Sequence, residues 1–338
     1  MSIRINNIQA PNLNNSLYSR KPVSFRQAVF QDKVELKNNK QSLSGSAKIG
    51  IGIGILSILL LGAELIFSKG KHIKRLSNKL FISSNNQKYM KHIEEIRTDF
   101  SKIFGKEYST EEVKELAAKY KEIFELKDNN EFMKKIWTQL NTDFGLKDIP
   151  YSISELENPK MYAAYNLFNG ITYNANLIKW TTKEVIQNGI TKNEINFAEV
   201  DRKHITISLA HELKHAAQDK LACGIDVQKL LNAYIDREQK SNSKAWKSVL
   251  AQCNNDAAKA RKLLEEKMYD SMIPSYKTQE KIPKDSPMYQ KGMEYIDNIR
   301  NYISFEDDYS KYKNQLIEKE AFEVGDLFKK IYEWLTEK

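Results

Sequence analysis

The sequence predicts an α+β domain, dominated by helices with a small β-sheet, preceded by a single transmembrane helix. Three observations predict it. Residues 49–67 form one apolar run, most of the chain from residue 84 onward has a helical apolar period, and residues 161–180 switch to a period of two around Asn169-Gly170. The chain has 338 residues, room for one large domain or two modest ones. With 41% hydrophobic residues, 13 Gly and 7 Pro, it is not collagen-like, low-complexity or wholly disordered. Two cysteines, Cys223 and Cys253, exclude a disulfide scaffold and a zinc site built on four thiolates.

Taken in order, residues 1–47 are rich in Asn, Ser and Gln without a sustained apolar period, and are expected to be a disordered tail. Residues 48–68 are the expected transmembrane helix. The apolar run within them, IGIGIGILSILLLGAELIF, is 19 residues long with one charge, Glu64, near its end. At about 1.5 Å per residue it matches a hydrocarbon core roughly 30 Å thick. It begins too late, behind too long a polar tail, for a signal peptide. Residues 69–83 are a basic linker. The formal net charge of +9 belongs to this region: residues 1–48 carry +6, and Lys69, Lys71, Lys74, Arg75 and Lys79 follow the apolar run. Glu64 subtracts one, which leaves residues 80–338 at −1. The charge therefore fits a lipid bilayer as partner and speaks against a nucleic-acid binder. Four lysines before the run against five cations after it tilt the C-terminal domain toward the cytoplasm.

Residues 84–338 form the expected folded domain. A helix is predicted over 85–104. The capping box Ser109-Thr-Glu-Glu112 opens a second, to about Leu126, and Asn129 or Asn130 caps a third that Gly145 ends. Residues 161–168 and 171–180 read as a hairpin on a two-residue Asn169-Gly170 turn. Thr181 or Thr182 is expected to cap a short helix closed by Gly189, and a helix over about 201–222 ends before Gly224. The remainder reads as helical, with Ser286-Pro287 opening one segment.

His211-Glu212-Leu213-Lys214-His215 is an HExxH motif inside the 201–222 helix. Positions i and i+4 share a face, so both imidazoles can bind one Zn²⁺. Glu212 is rotated off that face, where a carboxylate can act as general base on a water at the metal. By composition a chance match arises about 0.005 times in such a chain, so the motif is informative. His204, seven residues earlier, is about 10 Å away along the axis and reads as a cap or surface residue.

In these residues the chain resembles the zincin metallopeptidases. Zincins divide by their third metal ligand. Position 221, where a metzincin has His, is Leu. The gluzincin type takes a Glu from a later helix. Glu318-Lys-Glu320-Ala321-Phe322-Glu323-Val324-Gly325 is an ExEAxxxG stretch similar to that of membrane-associated gluzincins of the heat-shock and CAAX-processing kind. The resemblance covers these two short stretches. It implies a zinc-dependent endopeptidase with a protein or peptide substrate, Zn²⁺ held by His211, His215 and Glu318, and Glu212 as general base. Glu318 rather than Glu320 is the expected ligand. Residues two apart on a helix differ by about 200°, and Glu318 shares its face with the small Ala321 and Gly325. Tyr312, six residues before Glu318, suits the family spacing for a donor to the oxyanion, and the tyrosines at 289, 295, 302 and 309 can donate likewise.

Two departures stand out. Lys214 occupies a usually uncharged position and is expected to point to solvent. Phe322 stands where the family usually has an Asp partner for a zinc-bound histidine, so that hydrogen bond comes from elsewhere or is missing. The family also places an edge strand upstream of the motif to pair with substrate, and residues 171–180 are the expected strand. The alternative function is a non-catalytic, membrane-anchored zinc-binding domain that serves in interaction or sensing.

Overall fold

The computed structural model describes residues 84–147, 149–187, 190–305 and 307–336. The expected tail, transmembrane helix and basic linker lie outside the described residues. Among the described residues, no helix is long and apolar enough to cross a membrane. The described chain is helix-dominated with small sheets, the α+β class expected.

Three helices come first: α1 (Ser84–Phe104), α2 (Thr110–Phe124) and α3 (Asn129–Asp143). In α1, Ile93, Ile96 and Phe100 recur on one face and are buried. The α2 capping box is complete: Ser109 Oγ accepts from Glu112 N at 3.2 Å, and Glu112 Oε2 accepts from Ser109 N at 2.7 Å. The α3 cap is Asp128, one residue before the expected asparagines; its Oδ1 accepts from Glu131 N at 2.8 Å. Asn130 is used elsewhere, accepting from Phe197 N at 2.6 Å.

Five strands follow: β1 (Tyr151–Ser154), β2 (Ala163–Asn166), β3 (Gly170–Asn174), β4 (Lys179–Gln187) and β5 (Ile190–Glu199). The expected hairpin is β2–β3, from Ala163↔Tyr173 to Asn166↔Gly170. Its connection is three residues long rather than two. Gly170, at φ +72°, takes the positive-φ position that ends such a loop. β3 stops at Asn174, short of Trp180. The buried Asn174 side chain donates to Met161 O at 2.7 Å and accepts from Asn176 N at 3.0 Å, which turns the chain. β1 pairs with β3 in parallel, giving the order β1-β3-β2.

The short helix expected after Thr181 is absent. Residues 179–187 and 190–199 are instead an antiparallel pair with Gln187 opposite Ile190, and Gly189 lies outside the described residues. The cap-like threonines are strand residues there. β-branched side chains favour the pleated surface, and Asn-Gly is a hairpin signal.

The central helix α4 runs Arg202–Lys240, well past the expected end near residue 222. It breaks at Asp226, whose Oδ1 accepts from Gln228 N and Lys229 N and so caps the downstream half. The remaining helices are α5 (Lys244–Gln252), α6 (Ala257–Ser271), α7 (Pro274–Lys277), α8 (Pro287–Arg300), α9 (Tyr309–Asn314) and α10 (Leu316–Thr336). Ser286 caps α8 ahead of Pro287, as expected. α4 lies at the centre, packed by α8, α10 and β2. Ile205, Leu209 and Leu213 form its buried stripe, and Ala321, Val324 and Phe328 form that of α10.

Candidate metal centre

Asp201 starts α4 by accepting from His204 N at 3.1 Å. The His204 ring rests on Asp201 and stacks on Tyr162, so it is a capping-turn residue rather than a ligand. Ten residues into the helix, His211 and His215 project from one face with their Nε2 atoms 3.3 Å apart. α10 brings Glu318 to the same point. Its Oε2 lies 3.7 Å from His211 Nε2 and 3.5 Å from His215 Nε2. All three side chains are buried. Among the described residues, this is the group of metal-type ligands whose atoms converge.

The spacing fits a first-row divalent ion. Ligand atoms about 2.0–2.1 Å from a tetrahedral centre stand about 3.3–3.4 Å from one another. The three observed separations, 3.3, 3.5 and 3.7 Å, lie close to that edge. Two imidazoles and one carboxylate form a mixed N/O donor set that could hold such an ion.

Burial alone would push the Glu318 carboxyl up, but the His215 and His211 imidazoles hold it well below the usual range. Both its oxygens are tied down: Tyr302 OH donates to Oε1 at 2.9 Å and Tyr312 OH to Oε2 at 2.5 Å. Burial, and then the Glu318 charge, push the Tyr312 phenol far up, so it stays a donor. Tyr312 is thus placed at the centre, with a ligand oxygen as its partner.

Glu212 stands beside the ligands. Its Oε1 is 4.0 Å from His211 Nε2, and its Oε2 accepts from Tyr165 N at 2.8 Å. Tyr165 belongs to β2, so β2 is the strand next to the site. The expected candidate, 171–180, is not an edge: β3 is central, because β1 takes its other side. The Phe322 ring packs edge-on against His211, with centroids 5.0 Å apart.

The partner of His215 lies on α4 itself. His215 Nδ1 is 3.0 Å from Gln218 Oε1, and Gln218 Nε2 donates to Ile317 O at 3.1 Å and Glu320 Oε2 at 3.3 Å. Lys214 does not point to solvent. Its side chain is 13% exposed and pairs with Glu320 at 3.2 Å. Lys291 and Tyr295 complete the Glu320 cluster. Burial raises the Glu320 carboxyl, but Lys214, Lys291 and Tyr295 outweigh it and hold the group down to about 2.

Tyr302 and the Tyr165 N–H carry no sequence signal for their roles, because each acts through a contact with another element; Gln218 stands three residues after His215 on α4, a spacing the sequence itself shows. No family model matches this chain, no curated protein matches its sequence and no solved structure matches its fold.

Proposed function

We propose that the chain is a membrane-anchored, zinc-dependent endopeptidase of the gluzincin type. The observation that carries the reading is the convergence of His211, His215 and Glu318 on one buried point with the Glu212 carboxylate beside it. His211, His215 and Glu318 hold the ion. When bound, zinc polarises a carbonyl and lowers the pKa of water toward neutrality. Glu212 takes the proton of the attacking water and delivers it to the leaving amine. The Tyr165 N–H anchors Glu212 Oε2, so Oε1 is the oxygen on the His211 side. Tyr312 is a phenolic donor at the centre, and its hydroxyl, turning from Glu318 Oε2, stabilises the negative oxygen that develops on the substrate. Tyr302 keeps Glu318 aimed at the ion from the other oxygen.

β2 is the strand beside the site: its Tyr165 N–H holds Glu212, and Ala163 and Tyr165 are buried where the strand packs on α4. Residues 48–68 hold the domain at the bilayer.

The test is an unbiased peptide-cleavage screen of the zinc-loaded chain beside its Glu212→Gln variant. Cleavage by the parent, lost by orders of magnitude in a variant that retains one zinc per chain, supports the reading. Equal cleavage by both refutes the mechanism. Zinc binding without any turnover favours the interaction or sensor alternative.

A further inference from the structure

We infer that Gln218 is the positioning residue that sets the tautomer of the metal-binding face of His215, and that the Lys214–Glu320 pair locks it in place. The inference rests on the metal-centre reading above.

The orientation of the Gln218 amide follows from its partners. Its Nε2 faces two acceptors that carry no proton, Ile317 O at 3.1 Å and Glu320 Oε2 at 3.3 Å. Only the NH₂ end can serve both, so the other end, Oε1, is what faces His215 Nδ1 at 3.0 Å. A carbonyl oxygen can only accept, so Nδ1 carries the proton. Nε2 then presents its lone pair, and this is the nitrogen that meets Glu318 Oε2 and His211 Nε2. The ring is fixed in the form a cation requires.

Glu320 makes that orientation the stable one. A flipped amide would set its oxygen against a carboxylate. Glu320 is itself held by Lys214 at 3.2 Å, by Tyr295 OH at 2.5 Å and by Lys291. Gln218 is buried, while Lys214 lies one turn before it on α4. The lysine at the middle of the motif therefore has a task, which is to hold the anion that holds the amide. The task left open by Phe322 on α10 is met from α4.

The test reads metal affinity of the full chain by chelator competition with zinc, and the visible bands of bound Co²⁺. Gln218→Met removes both hydrogen-bonding ends at similar volume. It should weaken zinc binding about 10- to 100-fold and shift the Co²⁺ bands, with apo-protein melting little changed. Glu320→Gln removes the anion but leaves the Gln218 amide on Ile317 O and His215, so it should weaken zinc binding only about two- to fivefold, less than Gln218→Met does. Equal affinity in Gln218→Met and the parent, or a larger loss in Glu320→Gln than in Gln218→Met, overturns the inference alone. A parent chain that takes up no metal overturns the inference together with the metal-centre reading.

Discussion

Replacing Gly170 by alanine should destabilise the domain by far more than backbone strain alone. Gly170 sits at φ +72°, where an L side chain costs about 1–2 kcal/mol. An added Cβ would also stand 2.1 Å from Pro150 O and 2.9 Å from Pro150 C and Cδ. That backbone oxygen accepts from Ile171 N at 2.9 Å, next to the first rung of the β1–β3 ladder. Relieving the clash pushes Pro150 away, at about 1–3 kcal/mol for overpacking and about 1 kcal/mol for the lost bond. The total, roughly 3–6 kcal/mol, corresponds to a melting shift on the order of 10 °C for a domain of this size. Gly145→Ala is the control. It has φ +62° with nothing within 4 Å of its Cβ, so strain alone should lower melting by only a few degrees. Thermal melts followed by circular dichroism compare the two. If both variants melt within about 2 °C of each other, the Pro150 contact does not matter and the reasoning fails. Asn166 of β2 pairs with Gly170, so activity should fall with the same substitution even below its melting point.

Zinc content should fall sharply in Glu318→Gln and only slightly in Glu320→Gln, measured by metal analysis after dialysis; the reverse order would move the ligand assignment. Zinc held at about a thousand times its Kd should stabilise the chain by about 4 kcal/mol, so chelation should lower the melting temperature by roughly 8–16 °C. Tyr312→Phe should retain zinc and lose turnover. Unchanged kcat would confine Tyr312 to holding Glu318. The full chain should stay with membranes through alkaline carbonate washing and be released when residues 48–68 are deleted, whereas release of the intact chain would exclude a spanning helix.

What was legible in the sequence was local. HExxH is a spacing within one helix, and helical geometry alone brings His211 and His215 together. The choice of Glu318 over Glu320 followed from angles on a single helix and from the small residues Ala321 and Gly325; Glu318 meets the histidines and Glu320 meets Gln218. The Ser109 capping box and the Ser286-Pro287 start were equally local. The misreadings involve pairing between distant segments or competing signals. β1 is four residues long and is specified by its parallel partner rather than by its own pattern. Thr181 and Thr182 suit a helix cap or a strand, and the pairing with β5 decides between them. Lys214 reads as a solvent position because its partner, Glu320, lies on a helix more than a hundred residues away. Gly224 reads as a helix stop, yet α4 continues past it until Asp226 turns the chain.

X-ray absorption at the zinc edge of the loaded chain reads whether His211, His215 and Glu318 together bind one zinc ion. One zinc per chain is expected, with two imidazole nitrogens and carboxylate oxygen about 2.0–2.2 Å away and no sulfur. The imidazole signature should be lost in His211→Ala. A shell near 2.3 Å, the distance of a thiolate, would place the metal on Cys223 or Cys253 and contradict the account, as would a purified chain that holds no zinc.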